Sequence, residues 1–174
     1  TKQAFEDILS YYTEVEKIHT IILEIYDTYG EEDTRNKIIN NWKQVIKRRK
    51  SQATEEMIKL SLGEQKLDYV YIEDIVNGII KAMQLLEPVT SDKKYKKKYA
   101  LSSDTVYTLK EIAVIFERIV QITLPIEWGG KPYRIREVME PYRGLERLPE
   151  WKAKYSLEEG LQAMFQKEKQ KNKE

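Results

Sequence analysis

The 174-residue sequence contains no cysteine, one histidine (His19) and no glycine before Gly30. Without cysteine, disulfide bonds and thiolate metal sites are excluded, and a single imidazole cannot supply the several histidines of a typical zinc site. We therefore expect no metal and a reducing compartment, the cytoplasm. The missing glycines also mean that no Gly-rich phosphate-binding loop precedes residue 30.

Net charge and long apolar runs are lacking as well. Thirty Lys and Arg residues against 29 Asp and Glu leave a formal charge of +1, which gives no general attraction to nucleic acid or to an anionic membrane. No apolar run approaches the roughly 20 residues of a membrane helix. We expect neither nucleic acid nor a membrane as a partner. The alternative, a nucleic-acid adaptor that uses the Lys-rich stretch at 93–98, predicts strongly salt-dependent binding.

Apolar residues make up 41% of the chain, enough for a core. Their spacing alternates between the periodicity of an amphipathic helix and the short or alternating runs of a strand. On the third predicted helix, Ile75, Ile79, Met83 and Leu86 are expected to point inward. Thr108 with Glu111, and Ser156 with Glu159, have the spacing of capping boxes. The pattern predicts a mixed α/β fold with helices at 2–16, 36–48, 73–86, 109–121 and 156–167, strands at 20–26, 56–62, 67–72, 99–101 and 122–128, a loop at 88–98 and a frayed tail at 166–174.

Five segments, which follow one another along the chain in the family's order, carry a family resemblance. Residues 62–74, LGEQKLDYVYIED, resemble the signature G-x-x-x-R-D-[FY]-[IV]-x-[VI]-x-D of extended short-chain dehydrogenases/reductases. TKQAFE (1–6) resembles the end of that family's catalytic Y-x-x-x-K motif, and IYDTYG (25–30) its [FY]-N-x-Y-G-P step. YRIRE (133–137) and LPEWKAKYSLEEG (148–160) resemble its C-terminal end. Within the family, the last three are most similar to CDP-abequose and CDP-paratose synthase-type reductases.

The resemblance implies the C-terminal part of an enzyme that acts on a nucleotide-diphosphate sugar by hydride transfer with NAD or NADP. Residues 1–35 would end the Rossmann-type parallel sheet of the cofactor domain, 36–165 would form a smaller mixed α/β sugar-nucleotide lobe, and 166–174 a charged tail. The first half, with its phosphate loop, would be missing, so the chain alone should be inactive and bind NAD(P) weakly. Epimerase, dehydratase and reductase activities stay open. A homodimer through the Lys2 helix is expected.

On the cofactor side, the resemblance makes Lys2 the catalytic lysine. Its ammonium would hold the nicotinamide ribose and lower the pKa of a tyrosine four residues earlier, outside this chain. Ile25, Tyr26 and Thr28 would line the cofactor, because ligands bind at the carboxyl ends of strands in open α/β sheets. An ordinary exposed lysine at position 2 is the alternative.

On the substrate side, Arg134 would bind the diphosphate with its guanidinium fork and Glu137 would accept the ribose hydroxyls. A surface ion pair between the two is the alternative. Asp27, where most relatives carry Asn, would contact the sugar or simply sit in a turn. The remaining predicted substrate residues are Lys37, Ile38, Leu62 and Tyr69. For each of them, an ordinary solvated or core position is an equal alternative to substrate binding.

Two departures from the family pattern support a different class of function. Leu67 stands where relatives usually carry the Arg that lies near the diphosphate, and Glu31 replaces a common Pro. The second hypothesis is therefore a family member without catalysis that binds a nucleotide or a partner protein.

Overall fold

The computed structural model describes residues 1–16, 18–51, 57–87 and 95–171, and its fold is α/β with parallel strand pairs, as predicted. Each predicted helix is present. The helices are α1 (Lys2–Val15), α2 (Ile38–Ser51), α3 (Ile72–Leu86), α4 (Leu109–Val120) and α5 (Leu157–Lys171).

The two predicted capping boxes are confirmed. Thr108 Oγ1 accepts a hydrogen bond from the Glu111 backbone N–H at 3.2 Å, and the Glu111 carboxylate accepts one from the Thr108 N–H at 2.7 Å. Ser156 and Glu159 exchange the same two bonds at 3.3 and 2.9 Å. These pairs satisfy N–H groups that a helix start otherwise leaves unbonded, so local sequence fixes where α4 and α5 begin.

The predicted fraying from residue 166 is wrong as far as Lys171, where α5 ends. Lys167 Nζ forms ion pairs with Glu73 and, at 3.2 Å, with Glu31. Lys171 pairs with Glu32. Partners distant in sequence therefore hold this charged end, and residues 172–174 lie outside the described part.

Several strands are shorter than predicted, and one is longer. The loop predicted at 88–98 is wrong from residue 96, where β6 begins, and 88–94 lie outside the described residues, as does Glu56. Lys98 Nζ lies 2.9 Å from Glu6 and 2.7 Å from Glu24, so paired acids allow a lysine-rich strand. The strands are β1 (Thr20–Ile25), β2 (Asp27–Tyr29), β3 (Ile58–Leu60), β4 (Lys66–Leu67), β5 (Tyr69–Tyr71), β6 (Lys96–Leu101), β7 (Tyr107–Thr108) and β8 (Ile126–Trp128).

Strand pairing brings two breaks in the chain together. β1 pairs in parallel with β6, β2 with β5 and β3 with β8, whereas β4 and β7 are antiparallel. Tyr26 separates β1 from β2, and Asp68 separates β4 from β5. The Asp27 N–H donates to the Asp68 carbonyl at 3.0 Å. The carboxyl end of β1 therefore lies beside the start of β5.

Two buried clusters support this edge. Trp42, from α2, is fully buried against Phe116 of α4, with ring centroids 5.3 Å apart. Fully burying such a side chain contributes roughly 1.5–3 kcal/mol, so this cluster anchors α2, α4 and α5. The second cluster lies between α3 and the strands β1, β5 and β6, and includes Val70, Ile75, Tyr99 and Leu101.

The inward face predicted for α3 is partly wrong. Ile75 is buried, but Ile79 and Met83 are exposed. The buried face instead carries Asp74, Ile75, Gly78 and Ala82. A Cβ on Gly78 would lie 2.8 Å from Leu101, so a close approach of helix and strand selects the small residues over the larger apolar ones.

The apolar stripe of α1 faces outward. Phe5, Ile8 and Tyr12 are exposed, and Thr13 is the buried residue of the helix. Polar contacts attach α1 to the strands: Glu6 pairs with Lys98, and the Thr13 and Thr20 hydroxyls lie 3.3 Å apart. These exposed side chains form an apolar patch on α1, and the homodimer stays a prediction.

Candidate nucleotide-sugar site

An ion pair marks the carboxyl end of β1. Lys37 Nζ lies 3.1 Å from Asp27 Oδ1, and both side chains are partly exposed. The loop that delivers Lys37 is held by Arg35, whose guanidinium donates to Asp33 and, at 2.8 Å, to Thr28 Oγ1. Hydrogen bonds from Arg35 keep the pKa of Asp33 below its usual value, so this support stays charged.

A cavity of about 610 Å³ opens beside this pair. Six of the predicted substrate and sugar residues line it: Asp27, Lys37, Ile38, Tyr69, Arg134 and Glu137. Five basic side chains contribute to its wall, from three separate parts of the chain: Lys37, Lys59, Lys131, Arg134 and Arg136. With two acids against them, the cavity has the charge to bind a polyanion such as a diphosphate.

Lys59 and Lys131 were missed by the sequence reasoning. Lys59 is the exposed residue of β3, between the half-buried Ile58 and Leu60, and strand alternation signals its outward direction. The Lys131 N–H donates to the Leu60 carbonyl at 3.1 Å, which brings the segment after β8 back to β3. That long-range contact has no local signal.

Residues 131–143, the covering segment, form one side of the cavity. The Lys66 N–H donates to the Met139 carbonyl at 2.9 Å, and Tyr133 Oη accepts from the Glu64 N–H at 3.1 Å. Within this segment the Glu137 N–H donates to the Arg134 carbonyl at 3.0 Å. The segment is therefore attached at both ends and carries Arg134 in a closed turn.

Arg134 and Glu137 are joined through a backbone-to-side-chain hydrogen bond. Glu137 Oε2 accepts a bond from the Arg134 backbone N–H, at 3.4 Å. Across the residues that the structure describes, no ion pair joins the two side chains, so the alternative of a surface ion pair is not the observed arrangement. The Arg134 guanidinium remains available in the cavity wall.

A second cavity, of about 440 Å³, adjoins the first and is largely apolar. Ile25, Tyr26, Tyr142 and Leu145 contribute to it, and its lysines are paired with acids. The Tyr26 hydroxyl donates to the Tyr142 carbonyl. Burial, reinforced by Asp68, raises the pKa of Tyr26, so its phenol keeps its proton at neutral pH.

Three residues line both cavities: Asp27, Leu67 and Val138. Beneath them, the fully buried Asp68 carboxylate accepts from Ser102 Oγ and, at 2.6 Å, from Ser103 Oγ. A buried carboxylate is tolerated only when it is bonded in this way, and these bonds fix the chain break next to Asp27.

The other predicted residues lie elsewhere. Lys2 is exposed in the first turn of α1, and Leu62 is exposed next to Gly129. Thr28 is bonded to Arg35. None of the three lines either cavity. Tyr69 is buried against Tyr29, with ring centroids 5.8 Å apart, and burial raises its pKa, so it serves as a wall and not as an acid.

The profile of the NAD dependent epimerase/dehydratase family matches residues 1–108. A CDP-abequose synthase of Yersinia pseudotuberculosis is 34% identical over 142 residues, which make up 80% of this chain and 45% of that protein. The chain belongs to the NAD dependent epimerase/dehydratase family. The resemblance inferred from the sequence motifs is confirmed.

Solved structures of two UDP-glucose 4-epimerases show the same fold. UDP-glucose-4-epimerase from Stenotrophomonas maltophila, with bound NAD and formylated UDP-arabinopyranose, superposes with a TM-score of 0.77 at 15% identity, covering 99% of this chain and 54% of that one. UDP-glucose 4-epimerase from Thermotoga maritima, with UDP-glucose, gives 0.75 at 18%, covering 98% and 52%. The chain spans about half the length of the curated relatives it matches.

A third cavity, of about 640 Å³, lies between the 31–34 loop, α2 and α5. It contains none of the predicted site residues, and ion pairs line it, including Lys43–Glu168 and Lys171–Glu32.

Among the described residues, no group of three or more His, Asp or Glu side chains is placed to hold a metal ion, and no helix has the length and apolar character to cross a bilayer. The two cavities at the strand ends are the candidate site, because the predicted site residues line them.

Proposed function

We propose that this chain forms the nucleotide-sugar side of the active site of an NAD(P)-dependent enzyme that modifies a nucleotide sugar by hydride transfer. The single observation that carries the proposal is the 610 Å³ cavity, because five basic side chains meet there at the strand ends. The similarity to CDP-abequose synthase supports a CDP-linked sugar as the substrate class.

The diphosphate would lie against the covering segment. Arg134 presents a planar fork that matches two phosphate oxygens, and Lys59 and Lys131 add charge from the opposite strand and the segment's start. Glu137 has one oxygen bonded to the Arg134 N–H, which leaves Oε1 to accept a ribose hydroxyl. The sugar would then reach the apolar cavity past Asp27.

The apolar cavity fits the reactive end of the cofactor. Ile25 and Tyr26 offer it an apolar wall at the carboxyl end of β1, where ligands bind in open α/β sheets. NAD(P), when bound, supplies or accepts the hydride. Lys2 would hold the nicotinamide ribose and lower the pKa of a tyrosine four residues earlier, and residues 1–35 would complete the cofactor domain.

Turnover of CDP- and UDP-sugars by the full-length protein, followed through NAD(P)H absorbance, tests the proposal. Lys2→Met should abolish turnover but retain nucleotide-sugar affinity, because Lys2 lies outside the basic cavity. Lys152→Met, another exposed lysine, is the matched control and should act as the parent. Failure of the parent to bind any of these nucleotide sugars would contradict the proposed function.

A non-catalytic family member is the second candidate. Leu67 lines both cavities where relatives carry the diphosphate arginine, and Glu31 is committed to Lys167 and Tyr71. This candidate predicts nucleotide-sugar binding without turnover, and no tyrosine four positions before Lys2 in the full-length sequence.

We also propose that the full-length protein is a homodimer through α1. The exposed Phe5, Ile8 and Tyr12 form an apolar face of the kind that marks protein interfaces. Sedimentation of the parent should show a dimer, and Ile8→Arg should weaken it. A parent that stays monomeric at high concentration would contradict the assembly.

A further inference from the structure

We infer that Arg143 is a positioning residue, which holds the end of the covering segment against the apolar cavity and so strengthens the binding of the group in this cavity. The inference rests on the proposed function for the identity of that group, the sugar of a nucleotide sugar. It starts from the contacts that one guanidinium makes with two loops at the strand ends.

Arg143 joins two loops that follow different strands. Its Nη1 donates to the Asp104 carbonyl at 3.3 Å, and its Nη2 lies 3.9 Å from a carboxylate oxygen of Asp68. Asp68 directly follows β4, whereas Asp104 lies in the loop after β6. The planar fork of an arginine can serve both partners at once, but the ammonium of a lysine is a single point charge.

The two loops that receive Arg143 are bonded to each other. The buried Asp68 carboxylate accepts hydrogen bonds from the Ser103 N–H at 2.9 Å and from the Ser102 and Ser103 hydroxyls. The Asp104 N–H donates to Ser102 Oγ at 3.1 Å, and Asp104 has a left-handed backbone with φ 67°. These bonds fix the Asp68 carboxylate and the Asp104 carbonyl, which together form a preformed site for a guanidinium.

Burial does not hold this part of the covering segment. Tyr142 is 70% exposed, and residues 131–147, all of which the structure describes, include no buried side chain. Leu148 is the first buried residue after them. Local stability is low where apolar contacts are few, so the polar contacts of residues 142 and 143 determine how much of the time the segment stays in place.

Residues on both sides of Arg143 form a wall of the apolar cavity. Pro141, Tyr142 and Leu145 line it, and the Tyr142 carbonyl accepts the hydrogen bond from Tyr26. If this wall is detached for part of the time, the apparent affinity for the group in the cavity falls in proportion to the fraction of molecules with the wall in place. Arg143 therefore acts on the ligand through the wall and not by touching the ligand.

The basic cavity keeps its own attachment to the strands. The Lys131 N–H donates to the Leu60 carbonyl at 3.1 Å, shortly before Arg134 in the covering segment. Detachment at Arg143 should therefore weaken the binding of the sugar and leave the diphosphate bound.

Arg143→Ala in the full-length protein is the direct test. The sugar contribution is the ratio of the affinity for UDP-glucose to that for UDP, with CDP-glucose and CDP as a second pair, measured by calorimetry. Arg143→Ala should lower this ratio about tenfold, the scale of one hydrogen bond from a charged group. Affinity for UDP or CDP alone should change less than about twofold, because a twofold change is well below the contribution of such a bond.

Arg147→Ala is the matched control. Arg147 pairs with the Asp104 carboxylate, but its backbone is bridged to Ala100 and the next residue is the buried Leu148, so this variant should leave the ratio unchanged. Arg143→Lys should recover part of the ratio, since an ammonium can reach one partner. Thermal unfolding of each variant identifies loss of fold, for which Arg143→Lys is the milder substitution.

Hydrogen exchange at the Lys66 amide tests the anchoring without any ligand. This N–H donates to the Met139 carbonyl at 2.9 Å, so it exchanges when this part of the covering segment opens. Exchange should be several times faster in Arg143→Ala than in the parent and in Arg147→Ala. Equal exchange rates, an unchanged ratio, or an equal loss of affinity for sugar-bearing and sugar-free ligands overturns the inference while the proposed function stands. A parent that binds none of these nucleotide sugars contradicts the proposed function, and the exchange rates then support or overturn the anchoring by themselves.

Discussion

The α5 side of the molecule and the edge with the basic cavity are both rich in charged side chains, but they use them differently. On α5, Lys167 pairs with Glu31 and Glu73. In the cavity, Arg134 and Arg136 form no ion pair with any residue that the structure describes. Both arginines are exposed, so water solvates them and an anionic ligand can replace that water. The unpaired arginines distinguish the cavity from the α5 side, although Lys37 and Lys59 in the cavity wall are paired with Asp27 and Glu127.

The α5 network is also closed by tyrosines. Tyr71 donates to Glu31 at 3.1 Å and Tyr155 to Glu73 at 2.9 Å, with Lys167 5.7 Å from the Tyr71 ring centroid. Burial raises the pKa of Tyr71 to about 12, so this hydroxyl remains a donor. Every group in the network has a partner, which fits a structural role.

The largest expected effect comes from removing an arginine of the basic cavity. Arg134→Ala should weaken nucleotide-sugar binding by about 2–4 kcal/mol, the scale for truncating one partner of a buried charge pair. Its unfolding free energy should change by less than about 0.5 kcal/mol, because no partner is lost. Calorimetry and urea unfolding measure the two quantities.

Two controls fix the register of this arginine. Arg134→Lys should recover only part of the affinity, since an ammonium cannot bind bidentately. Arg136→Ala should have the smaller effect. A larger loss from Arg136→Ala than from Arg134→Ala would show that the diphosphate uses the other guanidinium.

The next largest effect comes from removing a lysine of the α5 ion-pair network. Lys167→Met should lower the unfolding free energy by about 1 kcal/mol at neutral pH, the upper end for a partly exposed ion pair, and leave nucleotide-sugar affinity unchanged. Urea unfolding of parent and variant measures the loss. An affinity loss as large as that of Arg134→Ala would mean that α5 belongs to the site.

The same variant has a pH signature. Hydrogen bonds from Lys167 and Tyr155 hold the pKa of Glu73 below its ordinary 4.5. A carboxyl whose pKa is lower in the folded state than in the unfolded state stabilises the fold at pH values above the unfolded-state pKa. This stability is lost as the pH falls through the folded-state pKa. The difference between parent and Lys167→Met should therefore be constant near neutrality and shrink below about pH 4.5. A difference that grew on acidification would contradict the pairing.

The smallest effect sharpens the comparison by adding a charge. Leu67→Arg places the arginine of the family signature in the wall between the cavities, and should tighten nucleotide diphosphate binding by about 0.5–1 kcal/mol, the lower part of the range for a net hydrogen bond. Leu67→Met controls for the change of shape. Equal affinities of Leu67→Arg and Leu67→Met would mean that position 67 does not reach the diphosphate.

Local chemistry explains what the sequence could predict. Capping by Thr108 and Ser156 acts over three residues, so the starts of α4 and α5 were predicted to within one residue, whereas α2 begins two residues later than predicted. Asp27, Lys37 and Arg134, which the motifs assign to the substrate side, line one cavity, and their roles stay predictions.

Long-range contacts explain the rest. Lys59 and Lys131 join the cavity only because β3 pairs with β8 and the chain then turns back to Leu60. Likewise, Lys98 is tolerated in β6 because Glu6 and Glu24, more than 70 residues earlier, neutralise it. No periodicity within a short window carries such information.

A crystal structure of the full-length protein with a bound nucleotide sugar tests the central claim most directly. Diphosphate oxygens should lie about 3 Å from the Arg134 guanidinium, the distance of a charge-assisted hydrogen bond, and the sugar should lie in the apolar cavity past Asp27. A diphosphate bound in the cavity between α2 and α5, among the paired charges of Lys43 and Glu168, would contradict it.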